Sequence, residues 1–181
     1  MDARVFAGPW LAPGLTAPER IAKMGAHVAA MGWRVALRWR WPAPARSWAD
    51  PICRALRMRR SWTRYAPVDA CLLAHELAHA VQAEGPLWRR VWWGLRAVFD
   101  RRHTLAIEVE AEAHELAMGR LVGVSPAARP LGGWRFCVRD IDGRWSLNLS
   151  SWTPGDPVAV QDAIVARSSE LLREAAERWA P

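Results

Sequence analysis

Cys71-Leu72-Leu73-Ala74-His75-Glu76-Leu77-Ala78-His79-Ala80-Val81-Gln82 is the stretch on which the reading of this chain turns. It sets two histidines four residues apart in a run of good helix formers. A helix over about 69–84 follows, with Asp69 able to cap it and Gly85-Pro86 closing it. Positions i and i+4 lie on one helical face, one turn apart. The imidazoles of His75 and His79 can therefore bind the same Zn²⁺. Glu76 projects about 100° away and can reach a water at such an ion instead of the ion itself. Leu72, Leu73 and Ala74 are apolar, as a buried metal helix requires, and Gln82 stays on the ligand face. Burying two histidines and a glutamate with no ion between them would be expensive.

A catalytic zinc takes a third protein ligand and keeps an open position. The next helix but one, over about 104–121, offers Ile107-Glu108-Val109-Glu110-Ala111-Glu112-Ala113-His114-Glu115. Glu108, Glu112 and Glu115 share a face at i, i+4 and i+7, while Glu110 points elsewhere. The residues leave Glu108 and Glu112 both open as the third ligand. Like carboxylates four apart repel, and a cation between the helices removes that cost. His103 and His114 are competing ligands in a three-histidine arrangement. His103, beside Arg101 and Arg102, reads as exposed. Tyr65, the single tyrosine, is a candidate for polarising a carbonyl as an oxyanion stabiliser.

H-E-x-x-H followed about thirty residues later by a helical E-x-x-A-[D/E] resembles the gluzincin metallopeptidases. The phrases LLAHELAHAV and EVEAEAHELA also resemble the ImmA/IrrE-type peptidases and minimal gluzincins. The resemblance covers about residues 70–120. It implies a zincin-like α+β fold: a small mixed sheet packed against the H-E-x-x-H helix and a Glu-bearing helix, then a C-terminal hairpin and helix. It implies Zn²⁺ held by His75, His79 and Glu108, with Glu76 as general base and Glu112 behind a ligand. The implied activity is hydrolysis of peptide bonds in a peptide or protein substrate by metal-activated water.

The composition admits this and excludes much else. With 181 residues, 51% of them hydrophobic, the chain is long enough for one domain with a real core. It reads as a single domain over 1–181: a basic part over 1–64, metal-site helices over 65–128, and a hairpin with a last helix over 129–181. Residues 1–64 hold 12 basic and 3 acidic side chains, so the net charge of +7 originates there. That asymmetry marks residues 34–64 as a candidate surface for an acidic or nucleic-acid partner. A second class of reading follows: a catalytically weak or inactive zincin-like module that binds or regulates through its Arg-rich third. Cys53, Cys71 and Cys137 form neither a zinc pair nor a disulfide framework. The N-terminus lacks the pattern of a signal peptide, and no apolar run is long enough to span a membrane. These features point to a cytoplasmic chain.

The remaining elements read as follows. Thr16 and Glu19 have capping-box spacing and open a helix to about Gly32. Trp33, Val35, Leu37, Trp39 and Trp41 alternate with Arg34, Ala36, Arg38 and Arg40. That period of two predicts a strand with its aromatics in the core. A short helix is expected over 50–60 and a strand over 61–65. A hairpin is expected over 134–140 and 144–150, and a last helix over 158–179. Leu87–Phe99 forms an amphipathic helix with Trp88, Val91, Trp92, Leu95, Val98 and Phe99 on one arc. That arc suits either a core face or a lid or interfacial anchor. Trp93 falls among the arginines and is expected to be exposed.

Overall fold

Pro67–Gln82 forms α2, in which 12 of 16 residues are buried, so this helix is surrounded by protein on nearly every side. The computed structural model describes residues 5, 7–37, 47–58, 63, 65–124, 138–139, 145–146 and 157–179. Among them the elements are α1 (Ala17–Ala30), β1 (Arg34–Leu37), β2 (Trp48–Asp50), β3 (Ala55–Met58), α2, α3 (Leu87–Phe99), α4 (Arg101–Val122), β4 (Val138–Arg139), β5 (Trp145–Ser146) and α5 (Pro157–Trp179). The chain is thus mixed α+β, with five helices and a small three-stranded mixed sheet among the described residues. No helix among those residues is long and apolar enough to cross a membrane.

The helix starts follow local chemistry. At α1 the Glu19 carboxylate accepts the Thr16 backbone N–H at 2.7 Å, the predicted capping box. Helix α2 starts at Pro67, two residues ahead of expectation, because proline suits a first turn. Asp69 lies inside the helix, and its carboxylate accepts from the Thr63 N–H (2.8 Å) and hydroxyl (2.9 Å). Asp100 separates α3 from α4 and caps α4, its Oδ1 accepting the His103 N–H at 3.1 Å. α4 accordingly begins at Arg101 and takes in His103.

The sheet corrects two expectations. Residues 50–60 form no helix: β2 and β3 make an antiparallel hairpin across Pro51–Arg54, and β3 also pairs parallel with β1, in the order β1-β3-β2. Ala55, Leu56, Arg57 and Met58 are all good helix formers. Tertiary context overrides that preference, because β3 is the central strand and Ala55, Leu56 and Met58 are fully buried. The strand predicted from Trp33 is observed over Arg34–Leu37; Trp39 and Trp41 lie outside the described residues. Its inward face ends early: Trp33 is buried and donates to Glu84 (2.8 Å), whereas Leu37 is exposed. Of the strand expected over 61–65, Thr63 and Tyr65 are described and neither is in a strand. The C-terminal hairpin is observed in its described part, with Val138 opposite Ser146 and Arg139 opposite Trp145.

α4 packs between α2 and α5 and carries different chemistry on its two sides. Glu110, as expected, points away from His75. Its carboxylate takes two bonds from Arg167 of α5, Nε to Oε2 and Nη2 to Oε1, both 3.0 Å, and the Val5 N–H at 2.8 Å. Arg167 also donates to the Val5 carbonyl (2.8 Å), Glu170 (2.8 Å) and Glu174 (2.9 Å). This ion cluster pins Val5 between α4 and α5. Burial alone would raise the Glu110 pKa, but bonds from His114, Arg167 and Val5 hold it down at about 2. A depressed carboxyl contributes stability above its ordinary pKa and loses it as pH falls. Arg167→Met, which strands the Glu110 charge, is expected to cost about 3–5 kcal/mol in denaturant unfolding. Wild type should lose this contribution between about pH 4.5 and about pH 2, and the difference between the two proteins should shrink over that window.

Candidate metal centre

Four side chains from α2 and α4 meet in the buried seam between those helices. His75 and His79 stand one turn apart, and their Nε2 atoms face each other at 3.2 Å. The Glu108 carboxylate lies across from both, its Oε2 3.7 Å from His75 Nε2 and its Oε1 3.6 Å from His79 Nε2. Ligands about 2.0–2.2 Å from one tetrahedral ion stand roughly 3.3–3.6 Å apart, close to these three separations. Two imidazole nitrogens and a carboxylate oxygen are also the donor set that zinc prefers in sites with an open position. Glu76 lies between the two histidines on the same helix and is buried, with Oε2 making no hydrogen bond. The residues present fit a divalent ion.

The ring nitrogens turned away from Glu108 also have polar neighbours. His79 Nδ1 is 3.1 Å from Gln82 Oε1, and Gln82 Nε2 donates to the Ile107 carbonyl at 3.2 Å. Gln82 thereby ties the orientation of His79 to the backbone of α4 one residue before Glu108. His75 Nδ1 faces two carboxylates, Glu115 at 3.1 Å and Glu112 at 3.7 Å. Such partners fix the tautomer and raise the basicity of a ligand histidine. Glu112 therefore stands behind His75, and Glu115 stands closer still. The sequence signal for Glu115 was its place on the Glu108 face, at i+7.

The electrostatics favour a cation. Burial pulls the His75 pKa down, but Glu115, Glu112 and Glu76 outweigh it and raise it to about 10. Desolvation pushes Glu76 up to about 7, against the pull of His75 and His79. Burial pushes Glu108 up as well, yet the two imidazoles hold it below the ordinary carboxylate range. Proximity of several carboxylates thus makes the His75 imidazole a strong cation seeker.

The other candidates stand apart. His114 is buried on the opposite side of α4, with Nε2 3.1 Å from the Val5 carbonyl. His103, expected at the surface, is buried; its ring meets Trp93 edge-on at 6.3 Å, and burial lowers its pKa. Trp93, also expected at the surface, is buried against the site with its ring 6.1 Å from that of His79. Tyr65 is 75% exposed two residues before α2, and His75 lies about 12 Å further along the helix axis from Pro67. The structure does not bring Tyr65 to the other four. In the basic part, Arg54 pairs with Glu84 (3.3 Å) and Arg57 with Asp50 (3.1 Å), while Arg34 is exposed. Arg38, Arg40, Arg59, Arg60 and Arg64 lie outside the described residues.

Comparison with known protein-family models, curated proteins and solved structures finds no match for this chain.

Proposed function

We propose that this chain is a zinc-dependent peptidase of gluzincin type, with a zincin-like domain built around α2 and α4. The observation that carries the reading is the convergence of His75 Nε2, His79 Nε2 and the Glu108 carboxylate within 3.7 Å of one another. Beside them sits a buried carboxylate, Glu76, with an unbonded oxygen. His75, His79 and Glu108 would hold the ion. When bound, zinc supplies Lewis acidity, polarising a carbonyl and acidifying water.

The chain's own residues do the rest. Glu76 Oε2 takes the proton of the attacking water and returns it to the leaving amine. Its burial raises its basicity toward neutral pH, where a general base works best. Gln82 and Glu115 keep the two imidazoles turned so that both Nε2 atoms face Glu108. Trp93 packs against His79 and closes that side of the site.

The third ligand gives the discriminating experiment. Glu108→Ala is expected to weaken zinc binding by more than about a hundredfold, beyond the effect of an outer partner. Glu112→Ala and Glu115→Ala should each cost about 10–100-fold, because they act through His75 Nδ1. Competition with a chromophoric chelator reads all three. Zinc retention by Glu108→Ala equal to that of wild type would reject the assignment.

A further inference from the structure

Helix α3 presents its apolar stripe outward. Leu87, Trp88, Val91, Trp92, Leu95, Val98 and Phe99 span an arc of about 140° along the whole helix. All seven are exposed, Trp88 by 71% and Phe99 by 79%. The protein takes the opposite side of the helix. Trp93 is buried there, and Arg90 is turned inward to donate to the Pro51 carbonyl at 2.6 Å. The helix is therefore fixed in its rotation by its inner side, and its outer side has no partner among the described residues. A monomer seldom leaves so continuous a run of large apolar side chains in water.

We propose that the outer face of α3 docks this protein on an anionic lipid surface. Two observations select that occupant. The stripe's composition, Trp, Phe, Leu and Val bordered by arginine, is that of a helix lying in a membrane interface. Arg89 borders the stripe and Arg102 follows exposed, while Arg90 is turned inward and Arg96 is paired with Asp100 at 2.6 Å. That charge is complementary to anionic headgroups. It opposes pairing with a second copy, which would set two arginine-edged helices side by side. Docking would leave the inner side of α3 in place. The His79–Trp93 contact would then lie about one helix diameter from the lipid.

Flotation of the full-length protein with vesicles of phosphatidylcholine alone, or with phosphatidylglycerol added, tests the proposal. Binding is expected to the anionic vesicles, to weaken with salt, and to be much weaker on neutral ones. Trp88→Ser with Phe99→Ser, both at exposed positions, should lower anionic-vesicle binding by about tenfold or more, since each large side chain withdrawn from water is worth roughly that factor. Circular dichroism and sedimentation velocity on the same samples check the fold and the oligomeric state. Failure of the folded wild type to float overturns the proposal, as does undiminished flotation of the folded double variant. A dimer in solution that the double substitution converts to monomer also overturns it, by assigning the face to a second copy. If the double variant does not fold, Arg89→Ser with Arg102→Ser takes its place. Undiminished anionic-vesicle binding by that folded variant overturns the proposal too.

Discussion

Glu76→Gln is expected to bind zinc as tightly as wild type and to hydrolyse peptides about 10²–10⁴-fold more slowly. The substitution is nearly isosteric and removes only the ability to take a proton. Glu76 is not among the three groups that converge, because it leaves α2 about 100° from His75. Its carboxylate is buried, Oε2 is unbonded, and desolvation raises its pKa to about 7. Those properties suit the proposed role of base rather than that of a ligand. Zinc content and steady-state hydrolysis of a peptide library, measured on one preparation, separate the two roles. Loss of zinc together with activity would make Glu76 a ligand. Unchanged hydrolysis would remove it from the chemistry.

His79→Ala is expected to abolish the stabilisation that zinc gives the folded chain. A ligand that binds only the folded state stabilises it by RT ln(1 + [L]/Kd), about 4 kcal/mol at a thousandfold excess over Kd. His79 supplies one of three converging donors, and its ring is fixed by Gln82. Removing it leaves His75 and Glu108, too few for a tight site. Thermal unfolding with and without zinc should show a shift for wild type and none for His79→Ala at the same free zinc. An equal shift in both proteins would place the ion elsewhere.

The sequence carried the juxtaposition of the candidate site residues better than it carried the fold around them. His75, Glu76 and His79 were legible because their relation is local: helical periodicity alone sets two imidazoles on one face. Glu108 and Glu112 were not separable by that logic, since both share a face of α4. Only the placement of α4 against α2 sets Glu108 before the two Nε2 atoms and turns Glu112 and Glu115 to the far nitrogen of His75. β3 was hidden because Ala-Leu-Arg-Met prefers a helix, and its strand state comes from partners on both sides. The α3 stripe was legible as a stripe, but periodicity says only that a helix has two faces. It does not say which one meets the protein, and here Trp93 and Arg90 occupy the inner side. His103 was misjudged with it, because the α3–α4 junction at Asp100 turns that histidine against Trp93.

The proposed function requires a zinc ion held between α2 and α4. A crystal structure of the zinc-replete protein, with anomalous scattering recorded on both sides of the zinc edge, tests it most directly. One zinc peak per chain is expected, bonded to His75 Nε2, His79 Nε2 and the Glu108 carboxylate, with Glu76 nearby and not bonded to the ion. A fully zinc-replete crystal with no peak in that seam, or with its peak on other residues, would contradict it.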